Sequence, residues 1–162
     1  MIEVRALGSD VTSLVVLSLW LGAAIVVSAV VAPAAFALLP TRTLAGALVG
    51  RVLPTLFWSG AVVGIVAALL SRAHAYGGVR VACTLVLAAA CLAAQLGVAP
   101  QIERVRESIP GPVDALARDD ARRVAFGRLH GISVALLGAA AIAGAAALAF
   151  TVRGLSTARV RE

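Results

Sequence analysis

Lysine is absent from this chain, methionine stands only at position 1, and histidine and cysteine occur twice each. These gaps exclude a good deal. Copper handling by a Met-rich or multi-His site has no residues to build on. No CxxC or CxxCH is present, and no G-x-S-x-G, H-E-x-x-H, Walker A or GxGxxG, so hydrolytic, zinc and nucleotide-binding chemistry lose their usual carriers. Charged residues make up 14% of the chain and aromatics 4%. The sequence makes no enzyme claim.

What remains is grease: 61% of the 162 residues are hydrophobic, with a mean hydropathy of +1.01. A soluble domain averages about 45–50% apolar and about 25% charged residues. Such a chain cannot cover itself with polar surface, so lipid is its solvent. The net charge of +6 comes from arginine alone. These arginines flank apolar runs and form no aromatic-interleaved patch, which fits topogenic flanks and lipid headgroups and not nucleic acid. The Arg- and Ala-rich composition points to a bacterial inner membrane. Cys83 and Cys91 lie about 12 Å apart on a helix, beyond disulfide reach, and read as small apolar filler.

Four apolar segments, Val11 to about Leu39, about Leu44 to Leu70, Val79 to Ala99 and about Leu129 to Val152, each supply the ~20 residues needed to cross ~30 Å of hydrocarbon, within helices expected at about 11–39, 41–71, 79–108 and 113–152. Unbroken runs exclude barrel strands. The expectation is an all-α integral membrane four-helix bundle, one domain over 1–162, with both termini on one side. The first run is too long for a signal-peptide core and is kept as helix 1. Loop 3, about 101–128, carries five acids and six arginines. After its "IPGP", residues 113–128 read as an amphipathic helix leading into helix 4, with Asp119–Arg122 or Arg123 and Asp114–Arg118 at helical spacing. Small residues recur every fourth position at Gly46/Gly50, Gly60/Gly64/Ala68 and Gly127/Gly131, the spacing that lets helices approach closely in lipid. Gln95 reads as a polar contact between helices, and Trp20 and Trp58 fit either core or interface. Alternation puts six arginines at the terminal side and eight at the other. Because loop 2 holds its arginines undiluted by acid, the termini are assigned to the cytoplasm.

The same alternation gathers Arg42, Arg51, Gln101, Glu103, Arg128 and His130 at the loop 1/loop 3 end. Arg51 lies within helix 2, where an arginine costs about 2.5 kcal/mol or more at the bilayer centre unless it snorkels, pairs or meets a cavity. Glu103 and Glu107 are its candidate partners. His130 has three readings: a structural hydrogen-bonding group, a proton relay, or a haem or metal ligand. Ligation by two histidines of one chain fails on distance, because His74 sits in loop 2, about 30 Å away across the bilayer.

Pro33 with Phe36, Arg42 with Ala45 and Gly46, Pro100, and Phe126 with His130 form an ordered set. With "LWLGAAIVVSAVVAPAAFALLPTRTLAGALVGRVLP", "VAPQIERVRE" and "FGRLHGISVALLG", it resembles the transmembrane protein 205-like family, a domain of unknown function. That family is loosely similar to the copper-resistance protein D and membrane protoporphyrinogen oxidase superfamily. The resemblance implies a four-helix membrane protein of unestablished activity. The oxidase group holds haem with a histidine in its first helix, and helix 1 here has none.

Three functions fit these observations. The first is a small-molecule or ion permease, or its accessory subunit, acting through the polar cluster. The second is a haem- or metal-binding redox protein with His130 as ligand. The third is a structural subunit of a homo-oligomer or larger membrane complex.

Overall fold

The computed structural model describes the backbone of residues 2–71 and 76–159, and side chains over 7–71 and 76–156. His74 lies outside the described residues. No strand occurs among them. The helices are α1 (Ile2–Val26), α2 (Ala32–Leu38), α3 (Arg42–Ser71), α4 (Gly77–Leu92), α5 (Ala99–Glu107) and α6 (Ala121–Arg159). Single π-helical turns, Val27–Val31 and Ala93–Val98, join α1 to α2 and α4 to α5. The result is four continuous spans, all long and apolar enough to cross a membrane: Leu7–Leu38, Arg42–Ser71, Gly77–Glu107 and Ala121–Ser156.

Each π turn has a local cause. Pro33 and Pro100 lack an N–H, and their rings crowd the carbonyl four residues back. Widening the helix just before the proline relieves that crowding, and Ala32 and Ala99 donate to the carbonyls of Val27 and Ala94, five residues back. Span 2 carries its proline, Pro54, without such a turn.

Neighbouring spans pack in the cyclic order 1-2-3-4, which puts spans 1 and 3 on one diagonal and 2 and 4 on the other. Leu17, Trp20, Phe57, Leu87, Cys91, Ala140 and Ala147 fill the axis between them. The backbones close in where the sequence has glycine. A methyl on Gly60 would stand 2.6 Å from the Cys91 sulfur, and one on Gly64 2.7 Å from the Thr84 carbonyl oxygen. Gly144 approaches Leu87 in the same way, at 2.9 Å. The Gly60/Gly64/Ala68 spacing therefore is a helix–helix contact within the bundle. The other two are not: methyls on Gly50, Gly127 and Gly131 would meet nothing within 4 Å, and Gly46 faces only the Arg106 guanidinium at 3.9 Å. Those glycines lie near the span ends, outside the zone where the backbones converge.

Trp20 belongs to the core, its indole N–H donating to the Leu56 carbonyl at 3.0 Å, whereas Trp58 is half-exposed on the outer surface. Loop 3 also departs from expectation. Residues 113–128 do not form one helix; a short 3-10 turn, Val113–Ala115, is followed by the extended Leu116 and a turn in which the Asp120 N–H donates to the Ala117 carbonyl, and α6 starts only at Ala121. Asp120 sets that start, its carboxylate accepting the Arg122 backbone N–H at 2.8 Å as an N-cap. Arg122 then bonds the Ser108 carbonyl and Arg123 the Leu116 carbonyl, at 3.2 and 2.6 Å. The ion pairs shift accordingly: Asp120 pairs with Arg122 at 2.8 Å, and Asp114 approaches Arg42 at 3.9 Å in place of Arg118.

Candidate functional site

Pro33 and Pro100 follow the π turns of spans 1 and 3 by two residues, and α3 begins at Arg42 with Thr41 as its cap, the Thr41 hydroxyl accepting the Leu44 N–H at 3.2 Å. The family-like residues around them have distinct settings. Ala45 is fully buried and Gly46 gives room to Arg106, while Phe36 is exposed and Phe126 half-buried. The charged and polar members all stand at this end, and all face outward: Arg42, Arg51, Gln101, Glu103, Arg128 and His130 are each exposed.

Their interactions are few. Gln101 turns its amide back to the Gly97 carbonyl, 2.8 Å away on its own helix. Arg42 reaches Asp114 across the gap between loop 1 and loop 3. Among the described residues Arg51 makes no ion pair with Glu103 or Glu107, and His130 has no hydrogen-bond partner. Arg51 sits nine residues into α3, about 14 Å along it at 1.5 Å per residue, on the outer surface of the bundle. Its long stem can run along the helix to the interface. Among the described residues no group of three or more His, Cys, Asp and Glu comes together as a metal site. A groove of about 580 Å³, lined by Pro54, Thr55, Trp58, Ser59, Val62 and Val63, opens on the outer surface of span 2. Its apolar walls hold no ionisable group.

Apart from Ser133 in span 4, the buried polar residues collect at the opposite end. Arg80, assigned from sequence to the flank of loop 2, lies inside α4 at 1% exposure and donates from Nη2 to Asp10 Oδ1 at 2.7 Å. Ser13, Ser71, Thr84 and Thr151 are buried there too, so that every span contributes a polar side chain. Among the described residues, the Nε and Nη1 groups of Arg80 and the Ser13 hydroxyl have no hydrogen-bond partner. A signal for Arg80 exists in the sequence. Stepping back from the apolar positions 98, 94, 91 and 87 at helical spacing arrives at 84 and then 80, so the arginine is on the core face. Its position next to the turn disguised it as a flanking charge.

Residues 15–110, from the middle of α1 past the end of α5, match the family profile of a domain of unknown function, DUF4149. This chain belongs to the DUF4149 family. No curated protein and no solved structure matches it. The DUF4149 chain thus combines a packed four-span bundle, an outward-facing polar group at one end, and a buried ion pair at the other.

Proposed function

We propose that this DUF4149 protein is a non-catalytic membrane subunit, an accessory to a larger membrane assembly that engages its partner through the loop 1/loop 3 end. One observation carries the reading. The polar side chains at that end point outward, while the axis beneath them is filled by Leu17, Trp20, Leu87 and Cys91, each at most 3% exposed. Side chains so placed can act only on something outside the bundle. A single copy offers no polar conduit along this core, so the small-molecule or ion permease reading requires a path between copies. The redox reading rests on His130, which would meet a haem or metal from the outer surface.

We keep the kinship with the transmembrane protein 205-like family, and through it the copper-resistance protein D superfamily, as part of this reading. The inner membrane, with both termini cytoplasmic, belongs to it as well; a reporter fused after residue 162 tests the orientation.

A photo-crosslinking amino acid at position 130, compared with one at the lipid-facing position 62, tests the central claim in native membranes. A discrete protein adduct from 130 alone supports the subunit reading. Lipid adducts alone at both positions overturn it. Flux in proteoliposomes that Arg51→Gln abolishes would establish the permease instead. A haem band that His130→Ala removes would establish the redox protein.

A further inference from the structure

Spans 1 and 3 repeat each other at a separation of 67 residues. Val31-Ala32-Pro33 recurs as Val98-Ala99-Pro100, each behind a π turn. The buried positions Ser13, Leu17, Trp20 and Ala24 map onto Arg80, Thr84, Leu87 and Cys91, also buried. Spans 2 and 4 repeat at 80 residues, where Gly60, Gly64, Ala67 and Ser71 map onto Ala140, Gly144, Ala147 and Thr151, again all buried. The hydroxyls of Ser71 and Thr151 make the same bond, to the Ala67 and Ala147 carbonyls at 2.7 and 2.8 Å. Contacts repeat as well as positions. Gly64 packs on Ala88, and its counterpart Gly144 packs on Leu21, the counterpart of Ala88. The two separations differ by 13 residues: ten lie in the third connection, which runs from 108 to 120 where the first needs only 39–41, and the other three lengthen the adjoining ends of α5 and α6.

We infer that residues 11–71 and 78–151 are two copies of one helical hairpin around a pseudo-two-fold axis along the bundle, and that the Asp10–Arg80 pair, crossing that axis, fixes how the unequal halves pair. The cyclic packing supplies the geometry, since equivalent spans lie on the diagonals, where a two-fold axis must put them. Parallel repeats about an axis normal to the membrane are an established plan for membrane proteins. Arg80 occupies the place that Ser13 holds in the first hairpin, and Asp10 that of Gly77 in the second. The charge pair is therefore the point at which the halves depart most from each other in the core. Misregistered or like-with-like pairing of the hairpins would leave one of these charges buried alone, at heavy cost.

The equivalence predicts that the pair can be moved to the mirror position. Arg80→Ser in the full chain should lower the melting midpoint in mild detergent by about 10 °C. The fourfold variant Asp10→Gly, Ser13→Arg, Gly77→Asp, Arg80→Ser should recover most of that loss. A mirror variant no better than Arg80→Ser, in midpoint or in folded yield, overturns the axis, and an unchanged Arg80→Ser overturns the role of the pair. A second variant keeps the inference testable should these fail to fold. Replacing residues 106–121 by the Leu-Pro-Thr of 39–41 should give a monodisperse protein of undiminished helix content, because the two hairpins need the same closure. Aggregation or loss of helix in that variant overturns the repeat.

Discussion

Arg80 and Asp10 meet at 2.7 Å across the diagonal of the bundle, the guanidinium 1% exposed and the carboxylate side chain 11%. Few other contacts join these two spans directly. The pair thereby ties together helices that the packing of small residues leaves apart. Its strength depends on completeness, since an ion left alone in a low-dielectric interior is far worse than no ion at all.

Asp10→Asn should therefore destabilise the protein by about 3–5 kcal/mol, by stranding the guanidinium. Replacing both residues by apolar ones, Asp10→Leu with Arg80→Met, should restore most of the stability. Thermal unfolding in one detergent across the three proteins checks this. A double variant less stable than Asp10→Asn would mean that the pair contributes net attraction.

The glycines divide by location. Gly64→Val should destabilise by about 3 kcal/mol or more, because its side chain would strike the Thr84 carbonyl and the backbone at Ala88. Gly131→Ala meets open space and should leave the melting midpoint within about 1–2 °C of the parent, or raise it through helix propensity. Parallel melts of the two variants separate the packed motif from the unpacked one.

Asp120 carries the pH dependence of loop 3. The side-chain hydrogen bond from Arg122, then the Arg122 backbone N–H, lowers its pKa from 3.8 to about 2. A carboxylate depressed in the folded state stabilises fully above its ordinary range and loses that contribution as pH falls through the folded value. Protection of the Arg122–Val124 amides, taken relative to their intrinsic exchange at each pH, should therefore fall progressively between about pH 4 and pH 2. In Asp120→Asn this fall should vanish, because asparagine caps the helix without titrating. Persistence of the same profile in that variant would assign it to another acid.

The two tryptophans should answer differently to quenchers in lipid. Brominated acyl chains should quench Trp58, which is 46% exposed, and spare Trp20 at 3%. Trp20→Phe should also cost about 1 kcal/mol through the bond lost to the Leu56 carbonyl. Equal quenching of both residues would contradict the packing of span 1 against span 2.

Much of this was legible in the chain itself. The lack of charge over four long runs leaves lipid as the only solvent, and helices as the only way to satisfy their backbones there. Four spans, their order, and the gathering of Arg42, Arg51, Gln101, Glu103, Arg128 and His130 at one end follow from run length and alternation alone. Pro33 and Pro100 stand out in the sequence, but nothing in it tells that a π turn precedes each and that the helix runs on beyond it.

Tertiary structure decided the rest, because it depends on which faces meet. Three pairs of glycines had the same spacing, and only the one in the zone of closest approach packs. Loop 3 promised a helix by its pattern, but Asp120, Arg122 and Arg123 spend their hydrogen bonds on capping and on loop carbonyls. Arg80 looked like a flanking charge beside Gly77 and Gly78, and only its place on the inner face, opposite Asp10, makes it part of the core. Composition and periodicity determine that a segment enters lipid and where it turns. Rotation about the helix axis determines which side chains leave the lipid again, and that is settled only when four helices pack together.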